Sequence, residues 1–391
     1  MTVSDVAVVG GAMTRFGETV DAGIKELFAE AYHRALQSVD KGIDPGDIQA
    51  AFIGTVGSGG AQLGQPAPLL MGFVGLPHVP AYRLENACAS GGFALLAGIH
   101  AIVSGQCDVC LVAGVEKMQD LPPSRARYWL GVSGDTEYER LAGLTFAGIY
   151  ALVAQRYLHD YGLSHEALAH VAVKNHAHGQ HNRYAHLRRA ITLEQALRAP
   201  EVANPLRLYD CCPASDGAAV VILASKARAR AFTDRPVYIT GWGAGTDYLA
   251  LHDRPTVTSF RATRQAAAQA FQRAGRTPKD VRFAEVHDCF TIAELLAYED
   301  LGFCEPGQGW RLVREGVTGI DGPLPVNASG GLKSKGHPLG ATGVAMAVEI
   351  LSQMQGRVEP ERQVRRPDVG LLHNVGGSGG SCVVCLFEQG S

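Results

Sequence analysis

Apolar residues recur with two periods along this chain, and their alternation predicts a repeated order of helices and strands. Ile24 to Val39 carries a helical apolar stripe. The polar turn Asp44-Pro45-Gly46-Asp47 follows, then a buried strand over Ile48 to Ile53. Thr263 to Ala274 is helical again, followed by Thr277-Pro278-Lys279-Asp280 and the strand Val281 to Val286. A second matched pair sets the helix Gly92 to Ser104 before the apolar run Asp108 to Val112. Its counterpart is the helix Gly343 to Met354 before Asp368 to Leu372. Two stretches with the same order imply two similar α/β units around buried sheets.

Between them the pattern changes. Residues 119–207 are richer in Arg, Tyr and His, with few short β-branched runs, and are expected to form a mostly helical insertion rooted on the first half. Gly217 to Ala224 and Pro236 to Trp242 read as strands that return to the first sheet, and Gly245 to Thr258 suits a linker. The division expected is an N-terminal half over 1–118 completed by 208–247, an insertion over 119–207, and a C-terminal half over 248–391. A chain of 391 residues exceeds the usual size of one core, which agrees.

Composition narrows the class. With 46% apolar and 19% charged residues the chain is a well-buried globule, and a formal charge of −3 offers no field for nucleic acid. No run of about 18 apolar residues predicts a membrane span, and Met1 to Val9 lacks the pattern of a signal peptide. Nine scattered cysteines, an odd number, argue for a reducing, cytoplasmic setting. Cys107 and Cys110 have no partner pair to complete a zinc site and sit in a strand pattern, so they are expected in the core. The seven histidines from His159 to His186 repeat no ligand spacing. They read as a solvated helical face or a subunit contact, and no metal site is expected. Arg183, Arg188, Arg189 and Arg198 read as solvated surface at least as well as phosphate contacts.

Four motifs carry candidate chemistry. In Asn86-Ala87-Cys88-Ala89-Ser90-Gly91-Gly92 a cysteine stands among small residues at the head of a helix, where free N–H groups and the dipole favour a thiolate. Its own amide is placed to serve as an oxyanion donor. The motif is echoed, without the cysteine, in Asn327-Ala328-Ser329-Gly330-Gly331. Next comes a glycine-rich loop holding His337, set before Pro338, which biases its backbone to an extended form. Imidazole beside a thiol is a common source of thiolate. The third motif, His287-Asp288-Cys289-Phe290, ends a buried strand, where α/β sheets place their sites. There His287 is suited to donate to an enolate oxygen and Cys289 to shuttle a proton. Last, His373-Asn374-Val375-Gly376-Gly377-Ser378-Gly379-Gly380 offers backbone amides for an oxyanion. Taken singly, each has a bland reading: an inert buried thiol, a structural glycine loop, a packed turn, close backbone approach.

Together the four motifs resemble the thiolase superfamily over essentially the full length. Within it they resemble the sterol-carrier-protein-type thiolases and their bacterial and archaeal acetyl-CoA acetyltransferase relatives. Lys174-Asn175-His176 and Ser215-Asp216-Gly217-Ala218-Ala219 add to the resemblance. It implies a five-layered αβαβα core with an inserted loop domain, assembled as a homodimer or a dimer of dimers. The implied enzyme is a CoA-dependent thiolase, with CoA thioesters as substrates and no other cofactor. Cys88, activated by His337, holds the acyl group; His287 and His337 bracket the enolate oxygen with a water; the amides of Cys88 and Gly377 hold the tetrahedral oxyanion. Ser329, Lys333, Lys335 and Asn374 are assigned to substrate contact. Better-known thiolases carry a second cysteine where this chain reads His373-Asn374, so the second acid/base role falls to Cys289, as in the sterol-carrier branch. Cys382, inside an apolar strand pattern, is left to the core. The runner-up is a thiolase-like acyltransferase or retro-aldol carbon–carbon lyase working with a zinc-ribbon/OB-fold partner; behind it stands a non-catalytic acyl-CoA-binding subunit.

Overall fold

Residues buried on both faces of a sheet imply layers on both sides of it, and β4 (Val109–Glu116) and β7 (Gly217–Ser225) are buried almost end to end. The computed structural model describes residues 5–60 and 62–390. Residues 1–4, part of the stretch read for a leader, lie outside it.

The first half runs β1 (Val6–Met13), α1 (Ile24–Gln37), β2 (Ala50–Gly54), α2 (Pro66–Phe73), β3 (Ala81–Leu84), α3 (Ser90–Val103), β4. The insertion follows: α4 (Pro123–Gly131), α5 (Phe146–Tyr161), α6 (Glu166–Gly179), α7 (Leu193–Leu197) and the hairpin β5 (Glu201–Ala203)/β6 (Leu206–Arg207). After β7 come α8 (Lys226–Phe232), β8 (Val237–Thr246), α9 (Arg261–Ala274), β9 (Phe283–Val286), α10 (Thr291–Asp300) and α11 (Gly309–Arg314). The chain closes with α12 (Gly331–Lys335), α13 (Thr342–Met354), β10 (Val369–Gly376) and β11 (Ser381–Gln389).

Nine strands follow the order β3-β2-β4-β7-β1-β8-β11-β10-β9. The row is two sheets joined edge to edge, because β1 and β8 pair only at Ala7/Tyr238 and Val8/Val237. Leu27, Phe28 and Ala31 of α1 cover one face of the first sheet against Ala7, Ala51 and Leu111. Helices α3 and α13 pack against each other and on strands of both sheets, while α9 covers β8 and β11. The order helix, sheet, helices, sheet, helix gives the five layers.

Two expectations need correction. The strand read at Pro236 to Trp242 does not return to the first sheet. It pairs with β11 from Val237 to Thr246. Its Gly241, Gly243 and Gly245 line one face, and α9 lies so close that a Cβ on Gly245 would stand 2.9 Å from the Cα of Ala262. That fit between a glycine face and an alanine stripe recruits the strand to the second half. The insertion, in turn, packs on second-half elements. Lys174 Nζ of α6 pairs with Glu294 of α10 at 2.6 Å and donates to the Val326 carbonyl. Asn175 Nδ2 reaches Asp288 at 2.7 Å and Glu294 at 2.6 Å. Two histidines expected on a solvated face are buried for the same reason: His176 bonds the Arg189 carbonyl and His178 that of Asn327.

Candidate active site

The turn before α3 sets Cys88, the candidate nucleophile. Ala87 adopts a φ of 50°, a left-handed conformation that costs a non-glycine residue about 1–2 kcal/mol. Ser90 locks it, its Oγ accepting from Asn86 N at 3.0 Å and donating to the Ala87 carbonyl at 2.6 Å. Cys88 is thereby held, buried, at the head of α3. The head of α13 meets it backbone to backbone. A Cβ on Gly91 would lie 2.7 Å from the Gly340 carbonyl and 3.0 Å from Gly343 N, so only glycine permits the approach.

His337 arrives on that second helix head. Its Nδ1 lies 2.7 Å from Thr342 Oγ1, and the Thr342 hydroxyl gives its one hydrogen to the Pro338 carbonyl at 2.9 Å. Nδ1 therefore carries the ring proton, and the buried Nε2 presents a lone pair with no partner among the described residues. Glu116, the last residue of β4, fixes the loop from below. It accepts from Val56, Gly57, Ser58 and Gly340 amides at 2.8–3.0 Å, tying first half to second.

His287 follows β9 and meets His337 edge-on, ring centroids 5.1 Å apart. Cys88 Sγ and one nitrogen from each ring all lie within 4.8 Å of one another. Asn374 on β10 touches three members of this cluster's framework: Nδ2 donates to the Cys88 carbonyl at 3.0 Å and lies 3.2 Å from His287 Nδ1, while Oδ1 accepts from Gly92 N at 3.1 Å. Cys289 is buried beside Tyr150 from the insertion. The Tyr150 hydroxyl donates to the Gly377 carbonyl at 2.9 Å, and Gly377 N–H points at Cys88 Sγ. Asp288 accepts from Leu332 N and Lys333 N at 2.7 and 3.2 Å, fastening the His-Asp-Cys-Phe turn to α12.

The structure thus brings together Cys88, His287, His337, Cys289, Gly377 and Asn374. Ser329 and Lys335 are turned away: both face buried Glu285, Ser329 N at 3.1 Å from its Oε1 and Lys335 Nζ at 3.7 Å from Oε2. Lys333 is fully buried beside Cys211, Cys212 and Asp288, and burial depresses its pKa. A cavity of about 260 Å³ reaches Cys289 and His337, walled by Met118, Leu130, Phe146, Cys212, Phe290 and Leu339 among others. Its walls are mostly apolar and bear no carboxylate. Cys107, Cys110 and Cys382 lie in the core as expected. Glu116, Tyr150, Thr342 and Ser90 went unread in the sequence. Only Glu116, a lone carboxylate ending an apolar strand, left a visible signal there.

Burial pushes the Cys88 thiol up to about 12 against the opposing pull of the Gly377 N–H, and pushes His337 down to about 3. The resting pair is therefore neutral thiol and neutral imidazole. Only thiolate alkylates, so below pH 12 each pH unit raises the reactive fraction about tenfold. Iodoacetamide labelling of Cys88, followed by peptide mass spectrometry, is expected to rise at that slope from pH 7 to 10. A plateau below pH 8 would show a resting thiolate–imidazolium pair instead.

Comparison with known proteins agrees with this geometry. The family profile described as "Thiolase, N-terminal domain" matches residues 6–227, and "Thiolase C-terminal domain-like" matches 243–389. The chain is 44% identical to the acetyl-CoA acetyltransferase of Methanothermobacter thermautotrophicus, covering 98% of this chain and 100% of the relative. It is 33% identical to Sterol carrier protein 2 of Homo sapiens, over 100% of this chain and 73% of that protein. The solved structure named "Ltp2-ChsH2(DUF35) aldolase" superposes with a TM-score of 0.84 at 23% identity, covering 98% of each chain. With Cys88 inside one profile's span and His337 inside the other's, the chain belongs to the thiolase family.

Proposed function

We propose that the protein is a CoA-dependent thiolase that makes or cleaves the carbon–carbon bond of a 3-oxoacyl-CoA through an acyl-Cys88 intermediate. The observation that carries this reading is the convergence of Cys88 Sγ with the ring nitrogens of His287 and His337 within 4.8 Å at the heads of two helices. His337 Nε2 takes the thiol proton as Cys88 attacks the thioester carbonyl. The tetrahedral oxyanion meets the amides of Cys88 and Gly377. On collapse, His337 returns the proton to the departing CoA thiolate. In the synthetic second half Cys289 first releases its own thiol proton to solvent and, as thiolate, takes a proton from the methyl group of acetyl-CoA; the enolate carbon then attacks the acyl-Cys88 carbonyl. His287 donates to the enolate oxygen, His337 acts on it through a water, and Cys88 leaves as thiolate to be reprotonated. The apolar cavity suits the uncharged arm of a CoA thioester, and no prosthetic group is needed.

The reading extends to a cytoplasmic homodimer. β3 ends the sheet, and among the described residues its outer edge is unpaired, which suits addition of a second copy. No helix among the described residues is long and apolar enough to cross a membrane. Thiolysis of acetoacetyl-CoA and longer 3-oxoacyl-CoA esters by the purified chain is the direct test. The expected result is CoA-dependent loss of the 3-oxoacyl thioester with acetyl-CoA as a product. Inactivity at every chain length, relieved only by a zinc-ribbon/OB-fold subunit, would overturn a self-sufficient thiolase. It would favour the retro-aldol or partner-dependent reading, which draws on His373-Asn374 standing where better-known thiolases carry a second cysteine.

A further inference from the structure

We infer that Asn374 is a positioning residue: it fixes the tautomer of His287, and so keeps the Cys88–His287–His337 cluster a proton-transfer site rather than a metal site. The catalytic half of this inference rests on the reading of His287 as donor to an enolate oxygen.

The orientation of the Asn374 amide is set by two backbone groups whose roles cannot change. Gly92 N–H is a donor, so the atom 3.1 Å from it is Oδ1; the Cys88 carbonyl is an acceptor, so the atom 3.0 Å from it is Nδ2. The second hydrogen on Nδ2 then faces His287 Nδ1 at 3.2 Å. Nδ1 must offer a lone pair there, and the neutral ring carries its proton on Nε2. That Nε2 is buried and has no partner among the described residues. The two rings are therefore set oppositely, His337 by Thr342 to accept at Nε2 and His287 by Asn374 to donate.

One cysteine and two histidines so close together are also the donor set of a zinc or cuprous site. Metal-bound imidazole gives its lone pair to the ion and its remaining N–H to a carboxylate, carbonyl or similar acceptor. His337 meets that condition through Thr342 Oγ1. His287 does not, because its outer nitrogen faces an N–H. To ligate through Nε2 it must move its proton to Nδ1, against the Asn374 amide hydrogen. Rotating the amide to relieve that clash would break the bonds to Gly92 and Cys88. Aspartate at this position differs by one atom and reverses the logic: a carboxylate oxygen accepts from Nδ1–H and frees Nε2 for the ion.

The test is spectroscopic and does not depend on turnover. In ¹⁵N-histidine NMR of the wild-type chain, the His287 signals, assigned by their loss in His287→Gln, should show the Nε2–H tautomer. In Asn374→Asp they should show the Nδ1–H form. Competition with a chromophoric chelator should show Zn²⁺ bound about 10–100-fold more tightly by Asn374→Asp than by wild type, the usual reach of an outer-shell partner. The gain should vanish in Asn374→Asp/Cys88→Ser. An Nδ1–H tautomer in wild type overturns the inference, and needs no variant to fold. Equal zinc affinity in wild type and variant overturns its metal half. A chain silent in thiolysis but showing the Nε2–H tautomer would fail the functional reading alone.

Discussion

Cys88→Ala is expected to lose the acyl-enzyme altogether and to lower turnover by about 10⁴–10⁶-fold, roughly 5–8 kcal/mol of barrier, as removal of an activated nucleophile does. No neighbour can take its place. Burial holds the Cys289 thiol well above the usual thiol range. It also lacks the Gly377 N–H that opposes burial at Cys88. Folding should survive, since alanine removes one sulfur atom from a site whose backbone is held by Ser90 and Asn374. Intact-mass spectrometry after exposure to acetyl-CoA reads the outcome. An undiminished adduct on the variant would transfer the nucleophile to another residue.

Cys289→Ala should separate the two half-reactions. The acyl-Cys88 adduct is expected to form to stoichiometry, because His337, Gly377 and the Cys88 amide are untouched. Steady-state turnover is expected to fall by about 10²–10⁴-fold, the range for a positioned acid/base. The cause is local: the enolate half-reaction needs a proton acceptor beside the acyl sulfur. His337 is occupied with the enolate oxygen through its water, and His287 holds its proton on the nitrogen facing the cluster. Rapid-quench measurement of the adduct beside the steady-state rate distinguishes the steps. Turnover within tenfold of wild type would place the second base elsewhere.

Much of this was legible locally. The helical stripes of α1 and α9, the polar turns after them and the apolar strands beyond are nearest-neighbour facts, and the helix behind Cys88, read from Gly92, begins two residues earlier at Ser90. What was hidden depends on distant partners. β8 reads as a strand in either half; only the glycine face that admits α9 decides its sheet. Lys333 and Lys335, basic residues beside a glycine loop, read as substrate contacts, but α12 turns Lys335 and Ser329 toward Glu285. Glu116 looked like a strand end, because the four amides it gathers come from two separate loops. Asn374 was read as a substrate contact, since its three bonds go to groups some 90 and 280 positions away.

The contact of Gly91 with Gly340 and Gly343 has a consequence for how such a molecule can change. Where main chain touches main chain there is no side chain to trim or enlarge, so the join cannot be retuned by substitution as a packed core can. The spacing between nucleophile and base then measures how the two sheets are docked, and catalytic groups tolerate only about 0.5 Å of misplacement. Drift in either copy of the duplicated unit that tilts its sheet is felt at once at the other copy's chemistry. The two halves are bound to vary in step, and exchange of one half between distant relatives should yield folded but idle hybrids.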